Sequence, residues 1–117
     1  MKIRNTIFEG DRVVALNELI TLKLPLRETY NLVKLVKEIK EKEQVYRDAK
    51  LAIFRKYGKE KKGVIEIIPK NQEQANKELN ELVLYEEEYS LDKKIVLPKE
   101  VELSAVQVML LEDIIEI

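Results

Sequence analysis

Residues 24–58 read LPLRETYNLVKLVKEIKEKEQVYRDAKLAIFRKYG, and between Pro25 and Gly58 the chain runs for 32 residues with no glycine or proline. At about 1.5 Å per residue, Leu26 to Tyr57 is one continuous helix about 48 Å long. A compact domain of this length has a radius of gyration of roughly 13 Å and a body roughly 35 Å across. A rod of that length must project from such a body or lie against another copy of the chain. Arg55 and Lys56 suit the negative end of the helix dipole, and Gly58 supplies the left-handed residue with which helices often end.

Toward the N-terminus, Lys23-Leu24-Pro25-Leu26 is a tight joint: proline ends one helix and opens the next, and Glu28 favours the positive end of the dipole. Before it, Asp11 is a plausible N-cap, and Val13, Val14, Leu16, Leu19, Ile20 and Leu22 recur at helical spacing. Helices one and two should form a hairpin or an L. Met1 to Phe8 alternates loosely and fits either a short strand or an arm packed on the body. Along the long helix, Leu32, Val36, Ile39, Tyr46, Ile53 and Tyr57 follow a 4,3 spacing, interrupted on the same seam by Glu43 and Lys50. Its middle, Lys40 to Asp48, is polar enough to be exposed on at least three sides.

Toward the C-terminus, residues 59–63 (KEKKG) read as an exposed turn, and Val64 to Ile68 (VIEII) as a short β-branched strand closed by Pro69. Asn71 and Gln74 form a capping pattern for a third helix reaching about Tyr85, with Ala75, Leu79, Leu82 and Val83 toward the core. Glu86-Glu87-Glu88 reads as its frayed, solvated end. Lys94 to Leu97 is a candidate second strand for pairing with VIEII. Ser104 as N-cap, Gln107 completing a capping box, and Leu103 with Val108 as the staple mark the start of a last helix. Val106, Met109, Leu110, Ile114 and Ile117 form its expected apolar face. The fold class is therefore α+β, predominantly α, in a single domain spanning 1–117: a helical hairpin with one long helix over 26–57, a small β element and two shorter C-terminal helices.

The chain has 117 residues, 45% of them hydrophobic, and a formal net charge of -1. That is enough to bury one core, and it gives no overall pull toward nucleic acid or an anionic membrane. The charge is nonetheless unevenly placed. Residues 34–62 hold 11 Lys/Arg against 5 Asp/Glu, a net of +6, and residues 63–117 hold 5 against 13, a net of -8. The two sets are either solvated faces neutralising each other within one fold, or a basic helix facing an anionic partner or the acidic half of a second subunit. No apolar run approaches the roughly 20 residues that span a bilayer, and the start MKIRNTIFEG lacks the apolar core of a signal peptide. A cytoplasmic location with no membrane partner is the resulting expectation.

Histidine and cysteine are both absent. Ser/His/Asp and Cys/His triads, histidine acid-base catalysis and the common zinc sites are thereby excluded. Glycines only at positions 10, 58 and 63 rule out a Gly-Lys-Ser/Thr or G-x-G-x-x-G element. Carboxylates remain, but of the densest ones only Glu112 and Glu116 share a helical face, which ordinary solvation explains. The expectation is no enzyme, no catalytic residue, no metal and no cofactor. The candidate anion- or partner-binding surface is basic: Lys37, Lys40, Arg47, Lys50, Arg55, Lys56, Lys59, Lys61 and Lys62, with Tyr46 or Tyr57 able to stack on a base. Glu38, Glu41, Glu43 and Asp48 interleave with these cations and dilute their field. If several copies gather Lys59, Lys61 and Lys62 about one axis, a pocket for a small anionic ligand results.

Residues 16–58, LNELITLKLPLRETYNLVKLVKEIKEKEQVYRDAKLAIFRKYG, resemble a group of small phage and prophage proteins of uncharacterised function. The likeness continues in NKELNELVLYEE and in the ending LSAVQVMLLEDIIE. Its signature is structural: an L-x-x-L helix, a Leu-Pro joint, a long charged helix ending in Lys-Tyr-Gly, a short β-like insert and two apolar helical segments. The resemblance carries over no catalytic residue. Together with the missing His and Cys and the length of the rod, it leads to the expectation of a non-enzymatic phage accessory protein, an anti-defence candidate acting by stoichiometric binding as a homo-oligomer. Such a protein either blocks a host protein or sequesters a small anionic or nucleotide signal. A virion structural or assembly factor is the alternative, and a nucleic-acid binder using the basic long helix comes third.

Overall fold

The computed structural model describes residues 1–117 and contains four helices and six short strands. In chain order these are β1 (Lys2–Arg4), a 3-10 turn (Asn5–Phe8), α1 (Gly10–Leu19), α2 (Leu26–Tyr57), β2 (Gly58–Lys61), β3 (Val64–Ile67), a second 3-10 turn (Pro69–Asn71), α3 (Gln72–Leu84), β4 (Glu86–Glu88), β5 (Ile95–Val96), α4 (Ala105–Leu111) and β6 (Ile115–Glu116). The fold is α+β and mostly α. No helix is long and apolar enough to cross a membrane.

α2 is unbroken, with Pro25 at its N-cap, Glu28 in its first turn and Arg55 and Lys56 in its last. The molecule measures 52 × 26 × 24 Å with a radius of gyration of 17.1 Å, so the helix sets the long dimension. The buried stripe on α2 is Leu32, Leu35, Ile39 and Tyr46, with Val36, Ile53 and Tyr57 half-buried. Lys40, Glu41, Gln44, Val45, Arg47 and Asp48 are exposed, as the polar middle of the helix requires.

The second arm of the helical hairpin is α3, not α1. β2 and β3 turn the chain at the far end of α2, and α3 then runs back along it. Asn71 Nδ2 donates to the Tyr57 carbonyl, Lys56 pairs with Glu78 at 2.9 Å, and Lys42 pairs with Glu87 at 3.6 Å. α1 instead packs on α4, where Arg12 Nη2 donates to Asp113 Oδ1 at 2.5 Å and Gln107 donates to Glu18.

Several local expectations change. Asp11 sits in the first turn of α1, with Glu9 at the N-cap position, and α1 ends at Leu19, short of Leu22. Asn71 occupies the N-cap of α3 without a side-chain cap, and its Nδ2 donates instead to the Tyr57 carbonyl. KEKKG is not a free turn: Gly58 to Lys61 forms β2, antiparallel to β3, and only Lys62 and Gly63 make the reversal. Both have positive φ (51° and 79°), as a two-residue type I′ hairpin demands. Gly58 itself is extended, with φ -122°. Glu86 to Glu88 is strand β4, not a frayed end, and it pairs antiparallel with β1 so that Lys2 faces Glu88 and Arg4 faces Glu86. Opposite charges placed across the ladder convert an apparently solvated run into a strand. Ile95 and Val96 pair in parallel with β6 instead of with VIEII.

Ser104 caps α4 in a complete capping box with Gln107, as expected. The face of α4 is different, since Val106 and Met109 are 61% and 72% exposed. The helix spans only seven residues, and Leu111, Ile114 and Ile115 enter the core as the chain turns into β6. Sixteen buried residues form one cluster, drawn from β1, the first 3-10 turn, α1, α2, β5, α4 and β6 and from Tyr89, Leu97 and Ile114 beside the strands.

Tyr46 fastens the middle of α2 to the N-terminal segment. Its ring lies 5.0 Å from that of Phe8, and its hydroxyl donates to Glu9 Oε1 at 2.5 Å. Lys50 Nζ donates to the same oxygen at 2.8 Å. Lys50 and then Tyr46 hold the Glu9 carboxyl below its ordinary value of 4.5. A depressed folded-state pKa contributes stability that is complete above the ordinary value and is lost as pH falls through the depressed one. The melting temperature of the wild type should therefore exceed that of Glu9→Gln by a modest, constant margin near neutrality. That margin should shrink as pH falls below the ordinary carboxyl value of 4.5. Thermal melts from neutrality into acid would contradict the assignment if the gap stayed constant.

Candidate anion-binding site

The basic residues singled out in the sequence are spread along the molecule. Lys37 and Lys40 are exposed on the outer face of α2, about 28 Å at 1.5 Å per residue from Lys37 to Lys56. Arg47 is tied to Glu43 at 2.9 Å, Lys50 to Glu9 and Lys56 to Glu78. Tyr57 and then Lys56 hold the Glu78 carboxyl below its ordinary value, and Glu78 and then Tyr57 hold the Lys56 ammonium above its own. Arg55, Lys59, Lys61 and Lys62 are exposed around the hairpin. Within one chain these side chains do not converge. Tyr46, at 4% exposure and packed on Phe8, is a core residue with no face open for stacking, while Tyr57 is half-buried beneath Lys56.

Cations do converge elsewhere, near the start of α2. Arg27, Asn31 and Lys34 lie at i, i+4 and i+7 and therefore share one helical face. The loop after β4 closes over that face, so that Arg27, Asn31, Lys34 and Leu35 of α2 and Ser90, Leu91, Asp92 and Lys93 of the loop line a cleft of about 280 Å³. Three cations face one carboxylate. None of Arg27, Lys34 and Lys93 stands within ion-pairing distance of an acid, unlike Arg47, Lys50 and Lys56.

The loop is held in place by its own backbone. The Ser90 N–H donates to both Glu38 carboxylate oxygens at 3.1 Å, and the Ser90 hydroxyl donates to Glu38 as well. Tyr89, just before it, is buried, with Lys42 5.1 Å from its ring centre. One residue beyond β5's start, the Val96 N–H donates to Glu28 Oε2 at 3.0 Å. Two carboxylates on α2, at positions 28 and 38, thus clamp the segment that carries Lys93, with the cleft between them.

No family model, curated protein or solved structure matches the chain. The cleft is therefore read from its chemistry alone. Arginine presents a planar fork that binds phosphate or carboxylate bidentately, and lysine adds a mobile point charge. Leu35, almost fully buried, and Leu91, half-buried, provide an apolar floor. Asp92 supplies an acceptor for a ligand hydroxyl or amino group. Beside the cleft, the Tyr30 ring is 62% exposed, with Lys34 Nζ 5.0 Å from its centre.

Lys93 is 66 residues from Arg27 along the chain, so no local pattern joined them. The i, i+4, i+7 arrangement of Arg27, Asn31 and Lys34 was visible in the sequence. It was obscured by the denser lysines that follow.

Proposed function

We propose that the protein acts by stoichiometric, non-catalytic capture of a small phosphate-bearing anion, a nucleotide in the first instance. On this reading it is a self-associating accessory factor of phage origin that works in the host cytoplasm and withdraws a host signal. The observation that carries the reading is the gathering of Arg27, Lys34 and Lys93, all without acidic partners, around an apolar floor. The cations suit a phosphate, the floor and the exposed Tyr30 ring suit a base, and Asp92 suits a sugar hydroxyl.

Equilibrium dialysis of the protein against a panel of nucleotides and inorganic phosphate tests it. Saturable binding with no turnover of the ligand is expected for at least one nucleotide. Hydrogen bonds to charged groups contribute about 1.5–3 kcal/mol each, so Arg27→Gln together with Lys34→Gln should weaken binding by at least about 100-fold. Lys37→Gln with Lys40→Gln should leave binding almost unchanged. Absence of binding across the panel overturns the reading, and binding indifferent to Arg27 and Lys34 overturns the site.

A second reading, docking onto a host protein, draws on a separate observation. Leu26, Tyr30 and Val33 form an exposed i, i+4, i+7 stripe, with Leu26 85% exposed. Loss of a purified host partner from Leu26→Glu/Val33→Glu protein that still binds nucleotide would favour this reading.

A further inference from the structure

Among the charges left without partners inside the molecule, two local groups of opposite sign stand out, although Glu60 and Glu66 in the strands of the hairpin are also exposed and unpaired. At the apex of the β2–β3 hairpin, Lys61 and Lys62 are exposed and unpaired, with the exposed Val64 beside them and the unpaired Arg55 at the end of α2. The groove between α1 and α4 is the opposite in sign. It holds about 370 Å³, its lining includes Val14, Val106 and Leu110, and its only charged lining residues are Asp11 and Glu18. Asp11 and Glu18 enter no ion pair.

From these two surfaces we infer that the hairpin apex of one copy docks in the α1–α4 groove of the next, with Val64 against Val14 and Val106, and Lys61 and Lys62 against Asp11 and Glu18. This deepens the self-association in the reading above and rests on it. The surfaces complement each other: an exposed valine beside two lysines meets an apolar groove that carries two carboxylates. The hairpin begins 12 residues beyond Tyr46 along α2, about 18 Å at 1.5 Å per residue, while Tyr46 is where the N-terminal segment grips that helix. The hairpin therefore branches from the part of α2 that lies beyond the grip of the N-terminal segment. Because the two surfaces differ, the contact is heterologous. It repeats head to tail and yields a ring if the rotation closes and a filament if it does not.

Sedimentation velocity over a concentration series tests this. At low ionic strength the wild type should form species larger than a dimer, and added salt should dissociate them because exposed charge pairs are screened. Lys61→Glu/Lys62→Glu and Asp11→Lys/Glu18→Lys should each weaken association at least tenfold. Combining all four substitutions in one chain should restore it. All of these positions are exposed, and unchanged thermal melts would show that the variants are folded. A wild type that stays monomeric at low salt overturns the inference. So does association that survives both reversals, or association that is lost only in Leu26→Glu/Val33→Glu. Nucleotide dialysis on the reversed variants keeps the two proposals apart: intact binding by a monomer leaves the cleft standing and removes only the assembly.

Discussion

Tyr46→Ala is expected to lower the melting temperature by on the order of 15 °C, the largest effect of any single substitution in α2, because truncating a buried aromatic costs about 3–5 kcal/mol. Tyr46 is the last fully buried residue of α2, seven positions beyond Ile39. Between it and the half-buried Ile53, no apolar residue of the helix lies fully in the core. Its removal leaves the Phe8 ring without its aromatic neighbour and strips Glu9 of a hydrogen-bond donor. The Glu9–Lys50 pair remains, but both side chains are more than a third exposed, and a pair so solvated contributes little. Tyr46→Phe separates the two contributions. It keeps the ring and loses only the hydroxyl, for about 1 kcal/mol. A Tyr46→Ala protein melting within about 5 °C of the wild type would mean that the middle of α2 is held by something other than this side chain.

Gly58→Ala is expected to destabilise the protein by about 3 kcal/mol, at the upper end of the usual range for overpacking. The reason is distance, not backbone conformation, since the φ of Gly58 is open to any residue. A Cβ there would lie 2.5 Å from the Phe54 carbonyl oxygen and 2.8 Å from both the Glu66 carbonyl oxygen and Ile65 Cγ2. Two of the three neighbours are backbone and cannot turn aside. Relief requires the hairpin to lift from the end of α2, where Ile65 and Ile67 face inward and the Ile68 N–H donates to the Tyr57 carbonyl at 3.0 Å. Gly63→Ala is the contrasting control. Nothing lies within 4 Å of its Cβ position, but its φ of +79° costs a side chain about 1 kcal/mol. Chemical denaturation should rank Gly58→Ala well below Gly63→Ala in stability, and equal midpoints would contradict the packing described for this corner.

α2 was legible from the sequence because its signals are local: a proline at one end, a glycine at the other, and an apolar seam at helical spacing between them. Ser104 and Gln107 were legible for the same reason, as a capping box lies within four residues. What escaped is non-local. Glu86 to Glu88 reads as a solvated tail until Lys2 and Arg4 are set opposite, and nothing near residue 86 announces them. Gly58 was read for its freedom to take a positive φ, whereas its use is the absence of a side chain where two carbonyls crowd in. The candidate site followed the same rule. Lysine density drew attention to residues 37–62, where carboxylates on other elements answer Lys50 and Lys56. The cleft at Arg27, Lys34 and Lys93 depends on a loop pinned by Glu28 and Glu38, which only the tertiary structure brings into place.

The strand pairings also order events during synthesis. β1 has its only ladder with β4, and β5 has its only ladder with β6. Synthesis of residues 1–84 already supplies α1, the long rod, its hairpin and α3. Yet Ile3 has nothing to pair with until Glu87 emerges, and Ile95 waits for Ile115. The nascent chain can raise its mast early, but the hull beneath it closes only once Ile115 and Glu116 have been added.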